Sequence, residues 1–332
     1  MSDNYQGPIG LDVGTSRVVR ARREDDRYTY KAELNSFVVL PASKLTASVL
    51  RRENVPHSLE GDEILVHGYE SEKFADLLEV EIRRPMRAGV INSSEAGSLA
   101  MMRQILTGML GPAASPGQRV TFSVPAPPAG SQDNLTYHEA SLRQILAELG
   151  YEPQSINEGL AVVYSELEDS NFTGIGISFG GGLCNVCLAY LSVPVVSFSI
   201  AKAGDYIDAS AAAMTGDLAN RVRMTKESTF HFNGVFLEKT QQVLGVYYDE
   251  MIQGVVQALE REIGSSRSLP RLGRPVPMVL SGGSAVPGGF RERFEKFLSE
   301  SKFPLPVSGI RVASEPLHAT AKGALVAALS DL

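Results

Sequence analysis

The chain is poor in cysteine: 332 residues contain two, Cys184 and Cys187. Their CxxC spacing suggests metal or redox chemistry, but there is no second pair to complete a zinc site. Three residues apart on one strand, the two side chains point to opposite faces. A disulfide between them is therefore not expected, and both read as reduced core residues, which fits a reducing cytoplasm. Histidine is also sparse, and His57, His67, His138, His231 and His318 are too scattered to suggest a metal cluster. No apolar run is long enough to cross a bilayer. The opening MSDNYQGP is polar, so neither a signal peptide nor an anchor is expected there. An excess of positive charge is missing too: the formal net charge of −7 weighs against nucleic acid as a main partner, although Arg20, Arg22 and Arg23 form a local basic patch. What remains, 43% hydrophobic and 21% charged residues, is the composition of a globular protein with a full core. The length allows about two domains.

The centre of the chain is residues 173–186, TGIGISFGGGLCNV. Residues 173–179 alternate small and apolar side chains like a buried strand, and residues 183–190 read as its return. Gly180, Gly181 and Gly182 then form a hairpin tip. Successive N–H groups in such a tip make a concave anion site of the kind that cradles phosphate; an ordinary glycine-rich turn is the plain alternative. Two further loops bear on the choice. Residues 8–13, PIGLDV, form a short strand that passes through Asp12, Val13, Gly14, Thr15 and Ser16 into a second run at 17–22. Gly14 permits close approach, and Thr15 and Ser16 offer hydroxyl and N–H groups to a phosphate. Asp12 suits Mg²⁺ bound through water, because Mg²⁺ takes one or two carboxylates and keeps its waters. A plain turn with a solvated aspartate is again the alternative. Residues 276–280, VPMVL, run into Ser281, Gly282, Gly283 and Ser284 and then a helix marked by Phe290, Phe294, Phe297 and Leu298. That sequence of strand, loop and helix suits a base or ribose contact.

Between these loops, Val38 to Leu40 and Ile64 to Val66 read as short strands, with Pro41, Pro56 and Gly61 as breakers. Ser93 or Ser94 is placed to cap a helix carrying Leu99, Met102, Ile105, Leu106 and Met109. Residues 119–124 form a strand, and Asp133 is placed to cap a helix carrying Leu142, Ile145, Leu146 and Leu149, closed by Gly150. Glu158 opens an apolar helix over 160–167, either as a helix-dipole partner or as a base orienting water near a bound phosphate. Arg221, Arg223 and Lys226 make the helix region after residue 208 basic, with a solvated helix face as the plain alternative. Residues 238–263 form the longest helix, with Leu244, Tyr247, Met251, Val255, Leu259 and Ile263 on one side. A strand near 309–313 precedes an alanine-rich C-terminal helix.

At this point the sequence resembles the bacterial actin-like ATPases of the MreB and MamK branch, within the superfamily of actin, heat-shock chaperones and sugar kinases. IGLDVGTS resembles their first phosphate loop, and ISFGGGLCNV stands where the second belongs. RRPMRAGVI is similar to a segment that follows the MreB small subdomain. SINEGLAVVYSE resembles the first interdomain helix, and KAGDYID and MTKESTFHFNG resemble MamK. VLSGGSAVPGGF resembles the adenosine loop, and SEPLHATAKGALVAAL the C-terminal helix. The pieces occur in family order and span nearly the whole chain.

The resemblance implies an α/β fold of two similar ribonuclease-H-like halves with a nucleotide cleft between them. Domain I would cover 1–158 with a small subdomain at about 35–85, completed by 316–332. Domain II would cover 159–315 with a reduced small subdomain at about 205–240. It implies ATP or ADP and Mg²⁺ as cofactors, with Asp12 toward Mg²⁺ and Gly14, Thr15, Ser16, Gly180, Gly181 and Gly182 on the phosphates. Gly204 belongs to the nucleotide-binding set as well. Glu158 would orient the attacking water. Gly282, Gly283 and Ser284 would lie against the nucleoside, with Arg223, Lys226 and Glu227 near the base. The family's second loop begins with Asp and ends with Thr; here those positions are Ser178 and Leu183, which removes an outer Mg²⁺ contact and a hydroxyl that positions water. Phosphoryl transfer rests on positioning and charge stabilisation, so slow or impaired hydrolysis is expected. The implied function is a cytoplasmic, filament-forming ATP-binding protein whose partner is itself, with a possible protein adaptor, no direct nucleic acid and no transmembrane segment. The alternative is a non-polymerising ATP-dependent switch or scaffold. A sugar or acetate kinase lacks its signature here, and a chaperone is not expected, since no substrate-binding domain follows residue 332.

Overall fold

The computed structural model describes residues 5–130, 135–236, 238–267, 269–270 and 274–330. The chain opens with an antiparallel meander of β1 (Ile9–Val13), β2 (Arg17–Glu24) and β3 (Arg27–Leu34). Next come β4 (Phe37–Pro41), α1 (Lys44–Arg52), β5 (His57–Glu60), β6 (Glu63–His67) and α2 (Tyr69–Leu78). They make a small three-stranded layer, order β4-β6-β5, over its own core of Val38, Leu40, Ala47, Leu50, Ile64 and Val66. A two-residue hairpin, β7 (Met86–Arg87) and β8 (Val90–Ile91), leads to α3 (Ser98–Leu110), β9 (Arg119–Val124), α4 (Thr136–Glu148), β10 (Glu152–Asn157) and α5 (Glu158–Glu166).

The second half repeats the plan. Its elements are β11 (Gly174–Phe179), β12 (Cys184–Tyr190), β13 (Val193–Ile200), α6 (Gly204–Thr215), α7 (Ala219–Ser228), α8 (Lys239–Ser265), β14 (Val276–Ser281), α9 (Phe290–Ser299), β15 (Val307–Val312) and α10 (Ala319–Leu329). The first sheet has order β10-β9-β1-β2-β3 and the second β15-β14-β11-β12-β13. In each, a three-stranded meander is extended on the far side of its first strand by two parallel strands. All six residues of β11 are buried, as a strand covered on both faces requires.

The helices between the sheets are exchanged between halves. α5 packs on β11 and β12 of the second sheet, α10 packs on β1 and β9 of the first, and the two helices lie against each other. Alanines in α10 (Ala319, Ala321, Ala324, Ala327 and Ala328 are all buried) keep this double layer thin. The outer faces are covered by α3 and α4 on one half and by α6, α8 and α9 on the other. Cys184 and Cys187 are buried and unbridged, and they belong to cores on opposite faces of β12, as their spacing predicts.

Several local expectations shift. α3 starts at Ser98 after Gly97, and Ser94 instead donates to Asn92 Oδ1, so neither Ser93 nor Ser94 caps a helix. With that start, Met101 rather than Leu99 turns inward; Leu99 is 37% exposed. Asp133 lies outside the described residues. On α8, Tyr248 is the fully buried tyrosine and Tyr247 only packs at the margin. β3 and β10 carry no strand signal as single segments, since RYTYKAEL and EPQSIN are polar edge strands held by their neighbours.

Candidate functional site

The two hairpin tips close in the same way. Gly14 N–H donates to Arg17 O at 2.9 Å, and Gly180 N–H donates to Leu183 O at 3.0 Å. β1 and β11 hold equivalent places in their sheets, so the tips face each other across one cleft between the halves. They touch. A Cβ on Gly182 would collide with Thr15 Oγ1 and lie 2.6 Å from Gly89 N, so only glycine permits this approach. Gly181 lies equally close to Ser16. The first tip is further fixed by Asn35, whose Nδ2 donates to Gly14 O at 2.9 Å. The second tip is bonded to the start of α6: Gly204 N–H donates to Gly180 O at 3.0 Å and Asp205 N–H to Gly181 O at 2.8 Å. Ser284 Oγ, in the short turn after β14, donates to the same Gly180 O at 3.4 Å.

Two carboxylates meet at the base of the cleft. Asp12 Oδ1 accepts from Ser123 Oγ at 2.8 Å, and Ser123 Oγ accepts from Val13 N–H at 2.9 Å. Glu158 begins α5, whose end is capped by Asn157 Oδ1 accepting from Gly159 and Leu160 N–H. Ser178 Oγ donates to Glu158 Oε2 at 3.4 Å. Burial raises both acids: Asp12 to about 6, and Glu158, which also feels the charge of Asp12, to about 8. Two enclosed carboxylates that each disfavour the other's charge make a donor set fitted to a hard divalent cation holding its own waters. Among the described residues no group of three or more metal-ligating side chains exists.

The cleft wall carries five acids, Asp12, Glu158, Asp205, Asp208 and Glu227, against three bases, Arg17, Arg223 and Lys226. The bases are all paired. Arg17 reaches Glu227 at 2.5 Å, Lys226 reaches Asp208 at 2.7 Å, and Arg223 pairs with Glu72 of α2. Arg223 and Lys226 are buried, which rules out the plain alternative of a solvated face for them; Arg221 alone of the three stays partly exposed, paired with Asp76 and Glu79. Ion pairing hides these charges, so composition and spacing cannot separate them from a surface run.

Every residue singled out for the site lines this one cleft: Asp12, Gly14, Thr15, Ser16, Glu158, the three glycines 180–182, Gly204, Arg223, Lys226, Glu227, Gly282, Gly283 and Ser284. The sequence reading missed Arg17, Asp205, Asp208 and Thr320. Arg17 directly follows the first tip, and Asp205 and Asp208 stand in KAGDYID, so proximity to a recognised motif was the available signal. Thr320, on the C-terminal helix, had none.

Residues 8–328 match the Volactin family. No curated protein matches the chain. Among solved structures it is similar to MamK in its double helical filament (18% identity, TM-score 0.70, 98% of each chain covered). It is also similar to MreB5 of Spiroplasma citri bound to ADP (16% identity, TM-score 0.62, 99% of this chain and 98% of that one). A third is the ethanolamine utilization protein EutJ from Carboxydothermus hydrogenoformans (15% identity, TM-score 0.54, 96% and 89% covered). With two matching sheets, exchanged inner helices and facing glycine tips, the chain belongs to the Volactin family and has the fold of the actin-like ATPases.

Proposed function

We propose that the protein binds an adenine nucleotide with Mg²⁺ in this cleft, assembles into filaments of its own copies and hydrolyses ATP slowly. The observation that carries the reading is the convergence of both glycine tips, Asp12 and Glu158 on one cleft. MamK as a double helical filament and MreB5 bound to ADP are fold neighbours that support it. In this reading the backbone N–H groups of Gly14, Thr15, Ser16 and Gly180 to Gly182 hold phosphate oxygens, and Gly204 supports the second tip. Gly282, Gly283 and Ser284 seat the nucleoside, with Arg223, Lys226 and Glu227 toward the base. Asp12 holds Mg²⁺ through water, and the cation supplies charge neutralisation that a wall richer in acids than bases lacks. Glu158 accepts a proton from the attacking water once its own proton has left. Because Gly182 touches Thr15, admission of a nucleotide requires the halves to part and re-close. The halves divide at 158/159, with the C-terminal helix returning to the first. A cytoplasmic location and a protein adaptor belong to the same proposal.

The test is high-speed pelleting without nucleotide, with ADP–Mg²⁺ and with ATP–Mg²⁺, followed by electron microscopy of the pellets. Filaments that depend on ATP are expected; a protein that binds no adenine nucleotide overturns the reading. A second reading, a non-polymerising switch, draws on Ser178 and Leu183. Leu183 places its side chain against Gly89 where the family pattern has a hydroxyl. Binding without pelleting, and turnover that Glu158→Ala leaves unchanged, would favour the switch.

A further inference from the structure

The motif RRPMRAGVI, residues 83–91, has no role in the reading above, yet this piece of chain touches the small layer and both glycine tips. At one end Arg83 exchanges backbone hydrogen bonds with Phe37 of β4, at 2.8 and 2.9 Å, which anchors the segment to the small layer. Further on, Gly89 N–H donates to Thr15 Oγ1 of the first tip at 3.0 Å. Gly89 has φ +77, and a Cβ there would strike the Leu183 side chain of the second tip. Between these points Arg84 crosses the cleft and pairs with Asp205 Oδ1 at 2.5 Å. The Arg84 side chain is 18% exposed, and Asp208 and Glu227 add to the negative surroundings it enters. Asp205 is the residue whose own N–H binds Gly181 O. The chain of contacts therefore runs from the small layer through Arg84 and Asp205 to the backbone of the second tip.

We propose that Arg84 is a positioning residue for the second glycine tip: acting through Asp205, it holds that tip against the first half, and residues 83–91 couple closure of the cleft to the position of the small layer. The proposal rests on the nucleotide reading of the cleft and deepens it by naming what retains the ligand. A guanidinium suits the task because it stays charged and presents a planar fork to a carboxylate. Other pairs between the halves, Arg17–Glu227, Arg223–Glu72 and Arg221 with Asp76 and Glu79, join side chains of β2, α7, α2 and the residue that follows α2. In the Arg84 pair, by contrast, the acid partner is itself bonded to the tip.

The test compares wild type, Arg84→Gln, Arg84→Lys, Asp205→Asn and the swap Arg84→Asp with Asp205→Arg, all as the full chain. One readout is the release rate of a fluorescent adenine nucleotide with Mg²⁺. The other is the distance between dyes on cysteines placed at two exposed positions, Leu59 of the small layer and Val235 of the second half; native Cys184 and Cys187 are buried. Arg84→Gln and Asp205→Asn should each speed release about tenfold and lengthen the dye distance, as removing one partner of an interfacial charge pair acts mainly on dissociation. Arg84→Lys should lie between, and the swap should recover most of both effects. Release at the wild-type rate with unchanged distance in Arg84→Gln overturns the proposal, as does a swap no better than either single variant. Wild type that binds no nucleotide overturns the nucleotide reading instead, and the dye distance still decides whether Arg84 holds the halves together.

Discussion

The two halves of this protein build the same hairpin twice and furnish it differently. Asp12 and Ser178 occupy matching positions two residues before the glycines of their tips, on the central strands β1 and β11. Each neighbours a serine on the adjoining parallel strand, Ser123 on β9 and Ser281 on β14. In the first half the acid faces that serine and shares the cleft floor with Glu158. In the second half the Ser178 hydroxyl donates to Glu158 instead. Burial raises both acids, and the charge of Asp12 raises Glu158 further; a second carboxylate beside Glu158 would add a further uncompensated charge. The lesson is that backbone geometry is kept in both halves, since glycine and strand register enforce it, while of the two matched positions only Asp12 carries a carboxylate.

The strongest way to break the comparison is Asp12→Ala set beside Ser178→Ala. If the first half alone carries the cation, Asp12→Ala should weaken Mg²⁺-dependent nucleotide binding about a hundredfold, roughly 3 kcal/mol, while Ser178→Ala changes it little. Titration of a fluorescent nucleotide at fixed Mg²⁺ reads both; equal losses would show that the halves share the task.

Restoring the symmetry comes next. Ser178→Asp places a third acid beside Glu158 and Asp12 and should cost about 3 kcal/mol of stability in the free protein, the scale of an unpaired buried charge. Mg²⁺ with nucleotide should return most of that loss and raise any ATPase rate. Thermal melting with and without the ligand checks the first effect, and an unchanged melt would place Ser178 away from the acids.

Smaller is the pH effect of the pair itself. The folded state holds the Glu158 proton more tightly than the unfolded chain does, so stability is full near pH 4.5 and is lost as pH climbs to about 8. The expected loss is on the order of a few kcal/mol, seen as a melting temperature that falls from pH 5 to 8, and Glu158→Gln should flatten most of it. Melting that rises over this range would contradict the buried pair. The smallest effect is expected of Leu183→Thr. It loses an apolar contact with Gly89 worth about 1 kcal/mol, and any gain in turnover would show that the lost hydroxyl limits the second tip.

How much of this was legible in the sequence follows from how local each cause is. The glycine tips, the strands that lead into them and Glu158 at the mouth of α5 are set by short-range rules, and all of them reach the cleft. The start of α3 was misplaced because Gly97, at φ +75, ends the preceding turn where a serine cap was expected. β3 and β10 were invisible because polar edge strands owe their structure to the ladder beside them. Arg223 and Lys226 looked like surface charges because their partners, Glu72 and Asp208, are brought near only by folding.

By itself, then, the sequence determined the two glycine-tipped hairpins, the third glycine loop and the missing acid at Ser178, because each is written in residue type and spacing along the chain. Only the tertiary structure decided that the tips touch, that Asp12 and Glu158 compete for ionisation, and that Arg84 crosses to Asp205. Those contacts join residues up to 167 positions apart (Thr15 to Gly182), and their energies depend on burial that no local pattern encodes.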